Sequence, residues 1–216
     1  MAALGFVGAA ASAAALLGMA PAQAAGRAVI GGGSGIIIDS QVECTVTTIG
    51  RDGAGRLVGL TAGHCGDAGD RVLAEGHENV GQVGRFVYSN HDLDYAVIEF
   101  DRTRVVPVNR VGGVTIAAVG SPARFPDIAC KHGRTTATTC GVAWGDIFAT
   151  GAELWTQMCV IEGDSGAPVV VGSRLVGMVN AYLAVACAGP EVGTTMDSIM
   201  RDLNRRNITG SHFHPI

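Results

Sequence analysis

The chain has 216 residues, 48% of them hydrophobic, with 32 glycines and only 5% aromatics. That length holds one large domain or two small ones sharing an interface, and the composition suits many short strands joined by tight turns. A net charge of −4, from 15 basic and 19 acidic residues, carries no nucleic-acid footprint, and Lys131 is the only lysine. Six cysteines, an even number, can form three disulfides, which points to a compartment outside a reducing cytosol.

In chain order, residues 2–20 are almost wholly small and apolar, and Ala22-Gln23-Ala24 after Pro21 forms an A-x-A cleavage site. Residues 1–25 therefore read as a secretory signal peptide, although no Lys or Arg precedes the apolar core, so the true start can lie upstream. An alanine-rich run of this length is only marginally hydrophobic for a membrane anchor, and no later run is long enough to span a bilayer. From Ala28 onward short β-rich runs alternate with turn clusters such as Arg51-Asp52-Gly53 and Gly66-Asp67-Ala68-Gly69. The runs are Ala28 to Ile30, Gly35 to Ile38, Val42 to Ile49, Leu57 to Thr61, Val72-Leu73 and Phe86 to Tyr88. Tyr95 to Phe100 alternates, with Ala96, Ile98 and Phe100 on one face. The pattern resumes at Val114 and continues through Gly141 to Ala143, Ala167 to Val171, Leu175 to Val179 and Ala184 to Ala186. This is an all-β pattern, a barrel or sandwich. Near the end, Met196, Ile199, Met200 and Leu203 follow helical spacing, with Thr194 or Thr195 available as cap. A soft boundary falls near residues 105–113, and the terminal His212-Phe213-His214 reads as a mobile tail rather than a metal site.

The chain centres on Glu162-Gly163-Asp164-Ser165-Gly166-Ala167-Pro168. Glycines on both sides of an Asp-Ser pair suit a tight turn that holds a hydroxyl outward beside backbone N–H groups, as acyl transfer requires; an ordinary loop between strands has the same residues. A nucleophilic serine needs a base and an orienting carboxylate. His64, in Leu60-Thr61-Ala62-Gly63-His64-Cys65, ends an apolar strand, and Cys44, one strand earlier, can close a hairpin onto Cys65 and still the backbone of that base. His91 lies instead in the polar turn Ser89-Asn90-His91-Asp92. Of the two aspartates before the strand at Tyr95, Asp94 abuts the strand and is expected to be the more buried, whereas Asp92 reads as a solvated turn residue.

The order His64, Asp94, Ser165, carried by Thr61-Ala62-Gly63-His64-Cys65, Asp94-Tyr95-Ala96 and Gly163-Asp164-Ser165-Gly166-Ala167-Pro168, resembles the chymotrypsin-type (trypsin-like) serine proteases. It is most similar to their secreted actinobacterial streptogrisin and α-lytic protease branch. The resemblance extends to Cys130-Lys131-His132-Gly133-Arg134-Thr135-Thr136 ahead of Cys140. It implies an all-β fold of two packed antiparallel six-stranded β-barrels with a short C-terminal helix, here residues 26–108 and 109–216. Six cysteines allow 15 connectivities; the resemblance implies Cys44–Cys65, Cys130–Cys140 and Cys159–Cys187. It also implies Ser165 as nucleophile, His64 as base, Asp94 as its orienter, and an oxyanion hole made by the N–H groups of Gly163 and Ser165. Asp164 would turn inward to a cation, an arginine in the relatives, so that Lys131 or Arg134 must serve here.

Departures from the family bear on the pocket. Its walls would be Thr156-Gln157-Met158 and Val179-Asn180-Ala181-Tyr182, with Asn180-Ala181-Tyr182 standing where relatives carry Ser-Gly-Gly. Asn180 can donate towards Asp94, whereas Tyr182 puts a ring at the pocket mouth, and Ala167 replaces a glycine. None of these wall residues is charged, Gln157 offers an amide, and Glu162 lies at the rim. The expectation is a secreted, extracellular serine endopeptidase cleaving polypeptides after small or medium uncharged residues. It is expected to be monomeric, to need no cofactor or metal, and to bind neither nucleic acid nor, once the signal is removed, membrane. The alternative is a weak or inactive homologue kept as a binding module, with an esterase as a lesser third. Relatives carry a long pro-region; removing 25 of 216 residues leaves 191, with no room for one beside the protease domain.

Overall fold

A computed structural model describes residues 26–216; the signal-peptide expectation falls on residues outside them. Six strands, Ile128–Gly133, Ala137–Gly145, Glu153–Thr156, Pro168–Val171, Arg174–Tyr182 and Glu191–Thr195, pair antiparallel around a closed ring, with Ala118–Val119 added at one edge. Their inward side chains, among them Ala129, Ala143, Leu154, Val169, Val176 and Val179, form one core. A second, eight-stranded sheet has the order His214–Pro215, Thr48–Arg51, Leu57–Thr61, Tyr95–Phe100, Gln82–Asn90, Arg71–Ala74, Gly35–Ile38, Val42–Thr45. Val42–Thr45 and Thr48–Arg51 are two halves of one bent stretch of chain, so the sheet curls until a single segment stands near both of its ends.

The strand Tyr95–Phe100 explains how the two bodies meet. Ala96, Ile98 and Phe100 enter the core of the curled sheet, as the alternation predicts. The other face is apolar too: Tyr95 and Val97 join Leu175 and Met178 of the barrel and Met196, Ile199 and Leu203 of the helix in a shared cluster. The helix, Met196–Arg206, starts at Thr195, whose hydroxyl accepts from the Ser198 N–H, and ends at Asn207 in a left-handed conformation (φ 53°). Its Asp202 accepts from Tyr95 Oη at 2.8 Å and Asn90 Nδ2 at 2.9 Å, which ties it to the turn that precedes Asp94.

Three expectations change. Ala184–Ala186 is not a strand: Ala184 and Cys187 take positive φ (64° and 61°), and the segment loops out with Leu183 and Val185 exposed. The terminus is not a loose tail, because Phe213 is buried in the shared cluster and His214–Pro215 pairs with Gly50–Arg51. Glu153–Thr156 and Glu191–Thr195 are strands that the residue pattern did not mark. The division at 108/109 is kept as a proposal; His214–Pro215, from the second half, pairs into the first sheet.

Candidate active site

Each sheet brings part of the site to the seam where the two meet. Leu57–Thr61 runs into a single 3₁₀ turn, Gly63–Cys65, that presents His64. Gly63 is required there by close approach: a Cβ would stand 2.7 Å from Asn90 O and 2.9 Å from Tyr95 N. The Cys44–Cys65 bridge fastens the turn to the neighbouring strand segment. The opposing turn is held by Asn90, whose Oδ1 accepts from the N–H groups of Asp92 and Leu93 at 3.0 Å, and Asp94 follows with φ 48°, a left-handed conformation that Asp tolerates.

These two turns and the nucleophile loop place three side chains in line. His64 Nδ1 lies 2.8 Å from Asp94 Oδ2 and 3.0 Å from Oδ1, and the His64 N–H donates to Oδ1 at 2.8 Å. On its other side His64 Nε2 lies 2.9 Å from Ser165 Oγ. The bond to Asp94 raises the His64 pKa above its usual value against the opposing effect of burial. Burial pushes the Asp94 carboxyl up, but its bonds to the His64 ring and N–H outweigh that and hold it below the usual carboxylate range. Asp94 is 28% exposed at its side chain, whereas Asp92 is exposed. His91 pairs with Asp67 on the surface at 2.9 Å, outside this arrangement.

The loop Ile161–Gly166 is built to aim two donors. Asp164 N–H donates to Ile161 O at 3.1 Å, closing a turn in which Gly163 takes φ 90°, a value that favours glycine. In a trans peptide the N–H points opposite its carbonyl. The carbonyl of the Glu162–Gly163 peptide accepts from Thr135 Oγ1 at 2.8 Å, and that of the Asp164–Ser165 peptide accepts from Ala167 N at 2.8 Å. Both carbonyls are therefore held, and the N–H groups of Gly163 and Ser165 donate to no protein acceptor among the described residues. The curled sheet clamps the same loop: Thr45 N donates to Ser165 O at 2.8 Å, Thr45 Oγ1 to Gly163 O at 2.9 Å and Thr47 Oγ1 to Gly166 O at 2.6 Å. Thr45, Thr47 and Thr135 were not singled out in the sequence, where nothing marks a threonine that binds a carbonyl more than a hundred or nearly thirty positions away.

Asp164 is fully buried and faces Lys131, also fully buried, at 3.2 Å. The N–H groups of Thr135 and Thr136 at 3.1 Å, the Thr136 hydroxyl and the Ile161 N–H at 3.2 Å also donate to it. Burial raises the carboxyl, but these donors together bring it below its usual value; burial lowers the lysine despite the aspartate. Lys131, not Arg134, is thus the cation of this loop: Arg134 turns to Glu75 and Glu43.

The Val179–Tyr182 segment adjoins the nucleophile loop, and the strand that carries Glu191 separates it from Thr156. Gly166 N–H donates to Val179 O at 2.7 Å and Val179 N–H to Ala167 O at 2.9 Å, so that wall is hydrogen-bonded to the nucleophile segment. A bulge between Val179 and Ala181 turns Asn180, whose Nδ2 donates at 2.6 Å to the main-chain oxygen of Asp94. Met158 is buried in the barrel core, Ala181 is exposed, and Tyr182 is half-buried against that core. Gln157 does not offer its amide to the pocket, because Nε2 donates to Ala188 O (3.1 Å) and Gly189 O (3.2 Å). The sulfur pairs Cys130–Cys140 and Cys159–Cys187 complete the three disulfides, the latter joining the chain before the nucleophile loop to the loop after Tyr182. One cluster of metal-type donors stands among the described residues, Cys44, His64 and Cys65, but its two sulfurs are bonded to each other and are not thiolates.

No family model matches the sequence. Solved structures do match the fold. A Nocardiopsis protease aligns at TM-score 0.69 and 21% identity over 82% of this chain and 97% of its own. Thermobifida fusca protease A aligns at 0.66 and 23% over 84% and 98%, and a Cellulomonas bogoriensis chymotrypsin at 0.65 and 22% over 87% and 98%. The fold of this chain is that of the chymotrypsin-like serine proteases, and its structural neighbours are actinobacterial members of that group.

Proposed function

We propose that the chain is a secreted serine endopeptidase working through an acyl-enzyme. One observation carries the reading: the unbroken line from Asp94 through His64 to Ser165 Oγ, with spacings of 2.8 and 2.9 Å, beside two unengaged N–H groups. Ser165 Oγ attacks the scissile carbonyl as His64 Nε2 takes its proton. Asp94 holds Nδ1 protonated and stabilises the imidazolium. The oxygen that becomes anionic moves toward the N–H groups of Gly163 and Ser165, where one donor contributes about 3 kcal/mol to the transition state. His64 then returns its proton to the leaving amine, and water repeats the sequence to free the enzyme. Three disulfides, and no helix among the described residues long and apolar enough to cross a membrane, support an extracellular setting.

The test is labelling of the folded protein with a fluorophosphonate, with Ser165→Ala as control. Labelling confined to Ser165 is expected, and a folded protein that takes no label sinks the reading. Hydrolysis requires neutral His64, and its pKa is raised in the folded protein, so the rate should climb with pH through a midpoint above about 6.5.

A further inference from the structure

The buried ionisable groups of the closed barrel are not all paired. Lys131, Asp164 and Glu191 are all fully buried there, one amine for two carboxyl groups. Lys131 directs its Nζ to Asp164, Thr136 and Ala137 O, and an ammonium has three donors. Elsewhere among the described residues, buried Asp52 has Arg56 and buried Asp202 has Arg205 and Arg206. Glu191 has no such partner. Its Oε1 accepts from Thr156 Oγ1, and its Oε2 is bonded to nothing.

Position gives this orphan oxygen a meaning. Glu191 is in register with Thr156 on one side and with Tyr182 on the other, so it lies directly between the two pocket walls. Opposed residues share a sheet face. Two positions along, Leu154 faces Gly193, and Leu154 lies in the barrel core, so Glu191 points inward at the end of the barrel that carries the nucleophile loop. Gln157, the polar wall residue, is turned away.

We propose that Glu191 is the specificity-determining residue of the substrate pocket and binds the ammonium or guanidinium of a lysine or arginine that precedes the scissile bond. The proposal rests on the peptidase reading and replaces the expectation of uncharged residues, because Glu191 lies outside Thr156–Met158, Val179–Tyr182 and Glu162. An entering cation supplies a partner for Oε2 and the counter-charge that an ionised Glu191 needs. Burial pushes the Glu191 carboxyl up to about 8, so without a bound cation it is largely neutral, and a bound cation returns it to the carboxylate. Tyr182 is the gate. Its ring lies on the same face as Glu191, half-buried, and its hydroxyl has no hydrogen bond among the described residues, so it can swing aside without breaking one.

Peptides varied at the residue before the cut, presented to the wild type, Glu191→Gln and Tyr182→Gly, decide the matter. The wild type should favour Lys and Arg. Glu191→Gln should lose about 100-fold or more in the ratio of kcat/KM on those peptides to kcat/KM on Leu and Ala peptides, and Tyr182→Gly should gain on the basic ones. Equal selectivity in wild type and Glu191→Gln overturns the proposal. Benzamidine binding to Ser165→Ala, with and without Glu191→Gln, separates the two readings if no peptide is cut. Glu191-dependent binding then leaves the pocket standing and removes the peptidase. Binding that ignores Glu191, or none, overturns the pocket whatever the activity.

Discussion

Asp164 and Glu191 are carboxylates of one barrel, equally removed from solvent, and their surroundings differ in every respect that matters. Asp164 receives a lysine, a hydroxyl and three backbone N–H groups, and its pKa is held down. Glu191 receives one hydroxyl, keeps a bare oxygen, and its pKa is driven up. A buried charge is tolerated when its lone pairs are filled and costly when they are not. The saturated carboxylate fixes a shape, here the turn that aims the Gly163 and Ser165 donors. The half-satisfied one is held ready by the fold for something that the chain does not itself provide.

The largest expected effect comes from breaking the saturated member. Asp164→Asn leaves Lys131 buried without its counter-charge, and losing one partner of a buried pair typically costs about 3–5 kcal/mol. Urea unfolding at neutral pH should show a loss of that size. Acid should mimic the substitution: the folded pKa of Asp164 is depressed, so its contribution is present above about pH 4 and is lost as pH falls through the folded value. A variant as stable as the wild type at pH 7 would mean that the pair does not hold the loop.

The unsaturated member should respond with the opposite sign. The folded pKa of Glu191 is raised, so the stability tied to its protonated form is present below the unfolded value, near pH 4.3, and drains away as pH rises through about 8. Thr156 and Tyr182 flank it in register, and Lys131 is the charged group that acts on it. Glu191→Gln removes this titration. Relative to wild type, the variant should gain about 4 kcal/mol between pH 5 and pH 9, read from paired unfolding curves. A stability difference that does not change with pH would show Glu191 to be ionised and balanced throughout, which would remove the contrast with Asp164.

The same contrast explains how far the sequence could be read. Ser165, His64 and Asp94 are flanked by residues that their own local geometry requires, such as Gly63 against Asn90 O and Gly163 at φ 90°, so short motifs announce them. The hydrophobic alternation of Tyr95–Phe100 likewise marks one face of the strand, and the burial of Tyr95 and Val97 on the other becomes visible only when the barrel and helix arrive. Glu191 has no such local sign. It sits beside Gly189-Pro190 in a stretch that reads as turn, and its importance comes from pairing with Thr156 and Tyr182, many residues away. The C-terminal tail reads as loose for the same reason, since its partner strand lies at Gly50–Arg51, far away in the chain. Chemistry that depends on a turn is written locally, whereas chemistry that depends on register is not.

The smallest predicted effect tests whether saturation around Asp164 reaches the oxyanion donors. Thr135 links the two: its N–H donates to Asp164 Oδ1 at 3.1 Å, and its hydroxyl holds the Glu162 carbonyl at 2.8 Å, opposite the Gly163 N–H. Thr135→Val keeps the N–H, the volume and the β-branch and removes only the hydroxyl bond. The Glu162–Gly163 peptide then loses its anchor while Asp164 keeps all of its donors. If the hydroxyl positions the oxyanion donor, kcat should fall roughly 10-fold, less than the 10²–10³ that follows loss of a donor outright, with KM little changed. Stability should drop by no more than about 1 kcal/mol for one partly exposed hydrogen bond. Thr135→Ser, which restores the hydroxyl, should recover most of the rate. A rise in KM with kcat intact, or no rescue by serine, would assign Thr135 to packing and leave the Gly163 donor fixed by the turn alone.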